Sequence, residues 1–159
     1  MDVIALDHIY ISVSDFERSQ TFYDGVMRAL GFYKGTMAIG GEPHAHYFNR
    51  VMQYSIRPAR NRLGEHDPYA PGVHHVCFQV KDRRAVDDSA AAVRQLGVEV
   101  TPAAEYPEYA ADYYAAFFAD PDGIRLELKA RTRMRDDVVR EWERFTVFEN
   151  PLAQLHGRK

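Results

Sequence analysis

Leu6 to Asp15, LDHIYISVSD, and Val73 to Asp82, VHHVCFQVKD, are two versions of one segment. Each alternates apolar and polar residues with a period of two, the pattern of a strand with one buried face. Ile9, Ile11 and Val13 correspond to Val76, Phe78 and Val80, Asp15 to Asp82, and His8 to His75. After each aspartate comes a helical stretch ending in Leu-Gly: Phe16 to Leu30 before Gly31, and Arg83 to Leu96 before Gly97. Aspartate suits the N-cap, where its carboxylate accepts a free backbone N–H. Glycine suits the left-handed residue that ends a helix. Strand, cap, helix and stop recur in register, so the chain carries an internal repeat.

Both copies run on through extended segments. In the second, Asp120-Pro121-Asp122-Gly123 is a turn by composition, and IRLELK follows as a strand. In the first, Met52 to Arg57, MQYSIR, takes the equivalent place. The expected fold is α+β, a βαβββ module written twice within one domain spanning 1–159. The first module covers 4–57, a Pro-, Arg- and Asn-containing linker 58–72, the second module 73–130, and an extension 131–159. In the extension Met134, Val138, Trp142 and Phe145 form an apolar stripe at helical spacing, which predicts a C-terminal helix.

The bulk properties remove several classes of function. The 159 residues are 46% hydrophobic and 27% charged, a profile of globular proteins. No apolar run reaches the length of a membrane-spanning helix, and no membrane partner is expected. A net charge of −3 gives no concentrated basic surface for phosphates, so no nucleic-acid partner is expected. The opening MDVIALDHIYISV lacks the basic patch and small-residue cleavage site of a secretory leader. Cys77 is the single cysteine, so no intrachain disulfide can form, and a reducing cytoplasm is the expected location.

Successive strand residues point to opposite faces. If Ile9, Ile11, Val13, Tyr54, Ile56, Val76, Phe78, Val80, Ile124, Leu126 and Leu128 pack on the helices, the other face carries the polar residues. That face holds His8, Tyr10, Ser12; Gln53, Ser55, Arg57; His75, Cys77, Gln79; and Arg125, Glu127, Lys129. An ordinary sheet with one solvated side would also look polar there. A local two-fold axis would instead make His8 and His75 symmetry mates, with Glu127 on the same face. Two imidazoles and a carboxylate converging in a concavity form a metal site with open positions.

The repeat, the two strand-borne histidines and DPDGIRLEL together resemble the vicinal-oxygen-chelate superfamily, which includes glyoxalases, extradiol dioxygenases, fosfomycin-resistance enzymes and bleomycin-binding proteins. The resemblance covers roughly residues 4 to 130. It implies a curved eight-stranded, cup-shaped mixed sheet around one divalent metal per chain, held by His8, His75 and Glu127. It also makes the second histidine of the His74-His75 pair the ligand. Iron(II) is the favoured ion for two histidines and a carboxylate, with manganese, zinc or nickel as alternatives. By the same likeness Tyr113, Ala115 and Phe117 face the cup, and the Tyr113 phenol is a candidate acid or orienting donor. Tyr10, Gln53, Ser55, Arg57, Cys77, Phe117 and Arg125 are candidate substrate contacts. Glyoxalase-type members carry a carboxylate or amide where this chain has Ser55, with Gln53 two residues earlier on the same face. Serine is a poor ligand and no base without an activating partner, which argues against glyoxalase or epimerase chemistry.

Two classes of function remain. The first is a metalloenzyme, dioxygenase-like or lyase/isomerase-like, whose small substrate chelates the ion through adjacent oxygens. The second is a dimeric, non-enzymatic binding module of the bleomycin-resistance kind. All three ligand types are present here, which favours the enzyme. A homodimer is expected in either case, because open cup-shaped sheets leave edges to be covered and the resembling proteins pair their modules. His44 and His46, in GGEPHAH, read as solvated residues of a surface loop.

Overall fold

The structure, a computed structural model, describes residues 3–61 and 66–156. The first module runs β1 (His8–Val13), α1 (Phe16–Ala29), β2 (Tyr33–Ile39), β3 (Glu42–Phe48) and β4 (Gln53–Pro58). The second runs β5 (His75–Val80), α2 (Arg83–Gln95), β6 (Ala104–Glu105), β7 (Tyr114–Ala119) and β8 (Arg125–Ala130). The expected βαβββ repeat is thus present twice. The linker includes residues 62–65, which lie outside the described residues.

The helix ends form as their sequence dictates. Asp15 accepts from the Arg18 N–H at 3.1 Å and Asp82 from the Ala85 N–H at 2.9 Å. Gly31 and Gly97 follow with φ of +80° and +81°, the left-handed geometry that stops a helix. Each helix buries one stripe, Tyr23, Val26 and Met27 on α1 and Val86, Ala90 and Val93 on α2.

The eight strands form two four-stranded mixed sheets, ordered β1-β4-β3-β2 and β5-β8-β7-β6. In each, the first and last strands pair in parallel, Tyr10 opposite Ser55 and Cys77 opposite Glu127. The antiparallel neighbour places His46 opposite Ser55 and Phe117 opposite Glu127. Ser55 and Glu127 are therefore equivalent positions of the repeat, with no slip between the two strands.

The apolar faces of both sheets join α1 and α2 in one core that includes Ile11, Tyr54, Ile56, Phe78, Leu126 and Leu128. Aromatic contacts cross between modules, Tyr54 to Phe78 at 5.9 Å and Phe22 to Phe118 at 6.5 Å between ring centroids. Polar contacts lock the same seam. Asp122, in the turn before β8, accepts from the Ser14 N–H at 2.7 Å and from Arg18 at 2.8 Å. Asp120 accepts from the Tyr23 hydroxyl at 2.9 Å, and Tyr54 lies 2.9 Å from that same hydroxyl. Because both apolar faces turn toward this shared core, the two polar faces turn away from it.

The C-terminal helix differs in extent from its expectation. α3 (Arg133–Glu141) gives way to a 3-10 turn, Trp142–Arg144, which leaves Phe145 beyond it; α4 (Pro151–His156) follows. None of the residues of α3 is buried, and Met134 and Trp142 of the apolar stripe stand exposed. Among the described residues no helix is long and apolar enough to cross a membrane.

Candidate metal centre

In the second module the pleat brings His75, Cys77, Arg125, Glu127, Lys129 and Phe117 to one face. The Glu127 carboxylate is only 2% exposed and meets His75 Nε2 at 3.4 Å from Oε2. Its other oxygen accepts from the Tyr113 hydroxyl at 2.6 Å. Burial and that hydrogen bond hold the Tyr113 phenol above the ordinary tyrosine range, so it is a standing donor. A carboxylate this buried is costly unless it meets positive charge. With one oxygen committed to Tyr113 and the other facing an imidazole nitrogen, Glu127 and His75 are the residues that would hold a divalent cation.

The two histidines are prepared alike. His8 Nδ1 donates to the Asp7 carboxylate at 2.7 Å, and His75 Nδ1 lies 2.7 Å from His74 Nδ1. In each repeat the residue before the histidine engages Nδ1 and leaves Nε2 for another partner, the usual arrangement behind a ligating histidine. This donor chemistry fits a divalent ion. Yet among the described residues no three of His, Cys, Asp and Glu are grouped closely enough to share one. The chain brings His75 to Glu127 and leaves His8 with Asp7 and Tyr10, whose ring centroid is 5.7 Å from that of His8.

Other candidate residues have settled partners. Arg57 pairs with Glu42, as does Arg60 at 3.1 Å. Arg125 lies over the Tyr69 ring, 5.1 Å from its centroid. Phe117 and Arg125 also line a cleft of about 730 Å³ with Thr101, Tyr106 and Tyr109. The Tyr106 and Phe117 rings meet edge to face at 5.2 Å.

The loop reading of His44 and His46 is overturned. Both lie on β3 and are buried, 4% and 9% exposed, because Gly40 and Gly41 form a tight two-residue turn with φ of +61° and +82°. The strand begins at once after it, with Ala45 and Tyr47 entering the core and both histidines on the polar face. His46 Nδ1 lies 2.9 Å from Ser55 Oγ, 3.3 Å from Gln53 Nε2 and 3.5 Å from the Tyr10 hydroxyl. Burial, and then His44 beside it, push the His46 imidazole below its ordinary range. A Gly-Gly pair followed by alternating residues was the available signal; histidines in place of apolar residues concealed it.

Known proteins share this architecture. The uncharacterized protein YqjT of Bacillus subtilis (strain 168) is 27% identical over 131 residues, covering 79% of this chain and 98% of that protein. The glyoxylase/bleomycin resistance protein/dioxygenase domain from Frankia sp. EAN1pec superposes with a TM-score of 0.68 at 19% identity, covering 82% of this chain and 100% of that one. The fosfomycin resistance protein FosX from Listeria monocytogenes, crystallised with Mn(II) and sulfate, superposes with a TM-score of 0.59 at 18% identity, covering 85% and 98%. The two superpositions are likenesses of fold. The model of the Glyoxalase/Bleomycin resistance protein/Dioxygenase superfamily matches residues 5–128, and the chain belongs to that superfamily.

Proposed function

We propose that this protein is a homodimeric, metal-dependent enzyme whose small substrate chelates a divalent ion through adjacent oxygens. Each ion is held by His75 and Glu127 of one copy and by His8 of the other, giving one ion per chain. The observation that carries this reading is the buried Glu127 carboxylate facing His75 Nε2 at 3.4 Å. The outward turn of the two polar faces supports completion by a second copy, since a first-module face can close over a second-module face only between chains. The exposed Met37, Phe48 and Tyr10 on the first-module face, and Met134 and Trp142 on the extension, offer apolar area for that contact.

Two imidazoles and one carboxylate favour iron(II), with manganese, zinc or nickel as alternatives. A bound ion of this kind supplies Lewis-acid polarisation of a chelating pair of oxygens. The protein's own residues do the rest. Tyr113 fixes the Glu127 carboxylate and holds a proton at its hydroxyl oxygen. Phe117, Tyr106 and Tyr109 offer an aromatic wall, and Arg125 a cation beside it. Dioxygenase-like or lyase-like turnover of a catechol-like or 2-oxo-acid substrate is the chemistry this set serves best. The aromatic cleft alone would also suit a dimer that traps a ligand without turning it over.

Mixing variants tests the whole reading. His8→Ala and His75→Ala proteins are each expected to lose the ion while staying folded. Unfolded and refolded together, they should regain one ion per mixed dimer, since one of its two cups is then intact. No regain in the mixture would refute the shared site, and retention of the ion by both single variants would refute the ligand assignment.

A further inference from the structure

On the polar face of the first module Gln53, Ser55, His46 and Tyr10 form one hydrogen-bonded group. One set of directions follows from its single obligate donor. The Gln53 amide nitrogen only donates, and it donates to Ser55 Oγ at 2.9 Å. The serine hydrogen is then directed to His46 Nδ1, 2.9 Å away. Gln53 Nε2 can only donate, and the Ser55 and Tyr10 hydroxyls both can, so all three are satisfied when Nδ1 carries the lone pair and the ring hydrogen sits on Nε2. His46 Nε2 is buried and meets no partner among the described residues. A buried ring nitrogen without a partner calls for an explanation.

The repeat shows where this group stands relative to the other module. Ser55 stands in the first module where Glu127 stands in the second, and His46 stands where Phe117 stands. Ser55 is as buried as Glu127. If Glu127 reaches the ion from one wall of a two-fold cup, Ser55 faces the bound ligand from the other. Alone, its hydroxyl cannot take a proton near neutral pH; with a neutral imidazole lone pair behind it, it can pass one on. We propose that Ser55 and His46 form a proton relay serving the ligand bound in the cup. The inference rests on the metal reading above.

The ligand's acidic proton moves to Ser55 Oγ as the serine's own hydrogen moves to His46 Nδ1. The ligand keeps the electron pair as an anion, Ser55 is unchanged, and His46 becomes an imidazolium; no electron changes owner. The charged and titratable groups on the same face are His8 and Tyr10 from β1, Glu42 and His44 from β3, and Arg57 from β4, while β2 places Gly35 and Met37 there. Arg57 and Glu42 neutralise each other, and burial with His44 keeps the resting imidazole uncharged, ready to accept.

The zinc-loaded full chain with 4-nitrocatechol as probe tests this, because the probe's visible spectrum reports its own protonation. Bound to the wild type, the probe should lose its second proton at a pH lower by about one unit or more than when bound to Ser55→Ala or His46→Gln. Zinc content and dimer should be unchanged in both variants. Glutamine keeps a hydrogen-bond partner for Ser55 but no proton acceptor, so a merely structural His46 would be rescued by it. Nitrogen-15 NMR of the resting protein should find the His46 hydrogen on Nε2. Coincident titrations of all three proteins, or a hydrogen on Nδ1, would overturn the relay and leave the metal site standing. Zinc held undiminished by His75→Ala would sink the metal reading and the relay with it.

Discussion

The two modules present the same backbone to solvent and different chemistry. Where β8 sets a buried carboxylate against His75 and Tyr113, β4 sets a serine against His46 and Gln53. Beneath them the core faces are alike: Ile56 in one half answers Leu128 in the other, and both are fully buried. The repeat has kept its packing face and let its polar face diverge. Geometry is inherited by both halves, whereas the buried carboxylate at this position is placed in one, so the halves can differ in task without differing in fold.

The largest effect should appear where the halves differ most. Glu127→Ala removes the only carboxylate of the proposed ligand set and should weaken metal binding at least about 100-fold, since each coordinating charge contributes several kcal/mol. Ser55→Ala should leave affinity within a few-fold. Calorimetric titration with zinc would compare them, and equal losses would mean that the halves share the ion evenly.

The core faces should respond equally. Ile56→Ala and Leu128→Ala each empty a fully buried site and should each cost about 2–5 kcal/mol in denaturant unfolding. A loss confined to one variant would show that the core is not shared across the modules as its contacts indicate.

A third contrast lies in the turns before the last strand of each module. Asp122 reaches across to Ser14 and Arg18 of the other module. In the first module the Asn49 side chain accepts from the neighbouring backbone N–H groups of Val51 and Met52 and stays within its own turn. Asp122→Ala should cost roughly 1–2 kcal/mol, discounted for the half-exposed arginine, and Asn49→Ala less than about 1 kcal/mol. Reversal of that order in thermal unfolding would place the seam elsewhere.

These contrasts also mark what was legible in the sequence. The repeat, its caps and stops, and the faces of β1, β4, β5 and β8 follow from period and punctuation, because local rules govern them. The equivalence of Ser55 and Glu127 could be read from aligned strands and is supported by their pairing. β3 was not legible, because its polar face carries histidines, which read as loop residues until the Gly40-Gly41 turn is seen to start a strand. The outward turn of the two polar faces was not legible either. It arises from long-range packing of both helices into one core, and period carries no information on which module faces which.

The smallest effect is a pH dependence confined to the first module. The fold lowers the His46 imidazole below its ordinary 6.5, through burial first and His44 second. The unfolded chain therefore binds more protons than the folded one between the folded pKa and 6.5, and stability rises with pH across that window. The contribution of neutral His46 is fully present above 6.5 and is lost as pH falls through the folded value. Phe117, its counterpart in the second module, carries no proton and contributes nothing of the kind. The wild type should thus lose more stability than His46→Gln as pH is lowered from neutrality to below that window. His44→Gln should reduce the slope only in part, since His44 is the lesser cause. Parallel denaturant midpoints for wild type and His46→Gln across the whole range would mean that the imidazole is as free to protonate in the fold as in the unfolded chain. The buried group around Ser55 would then have to be more open to water than its burial implies.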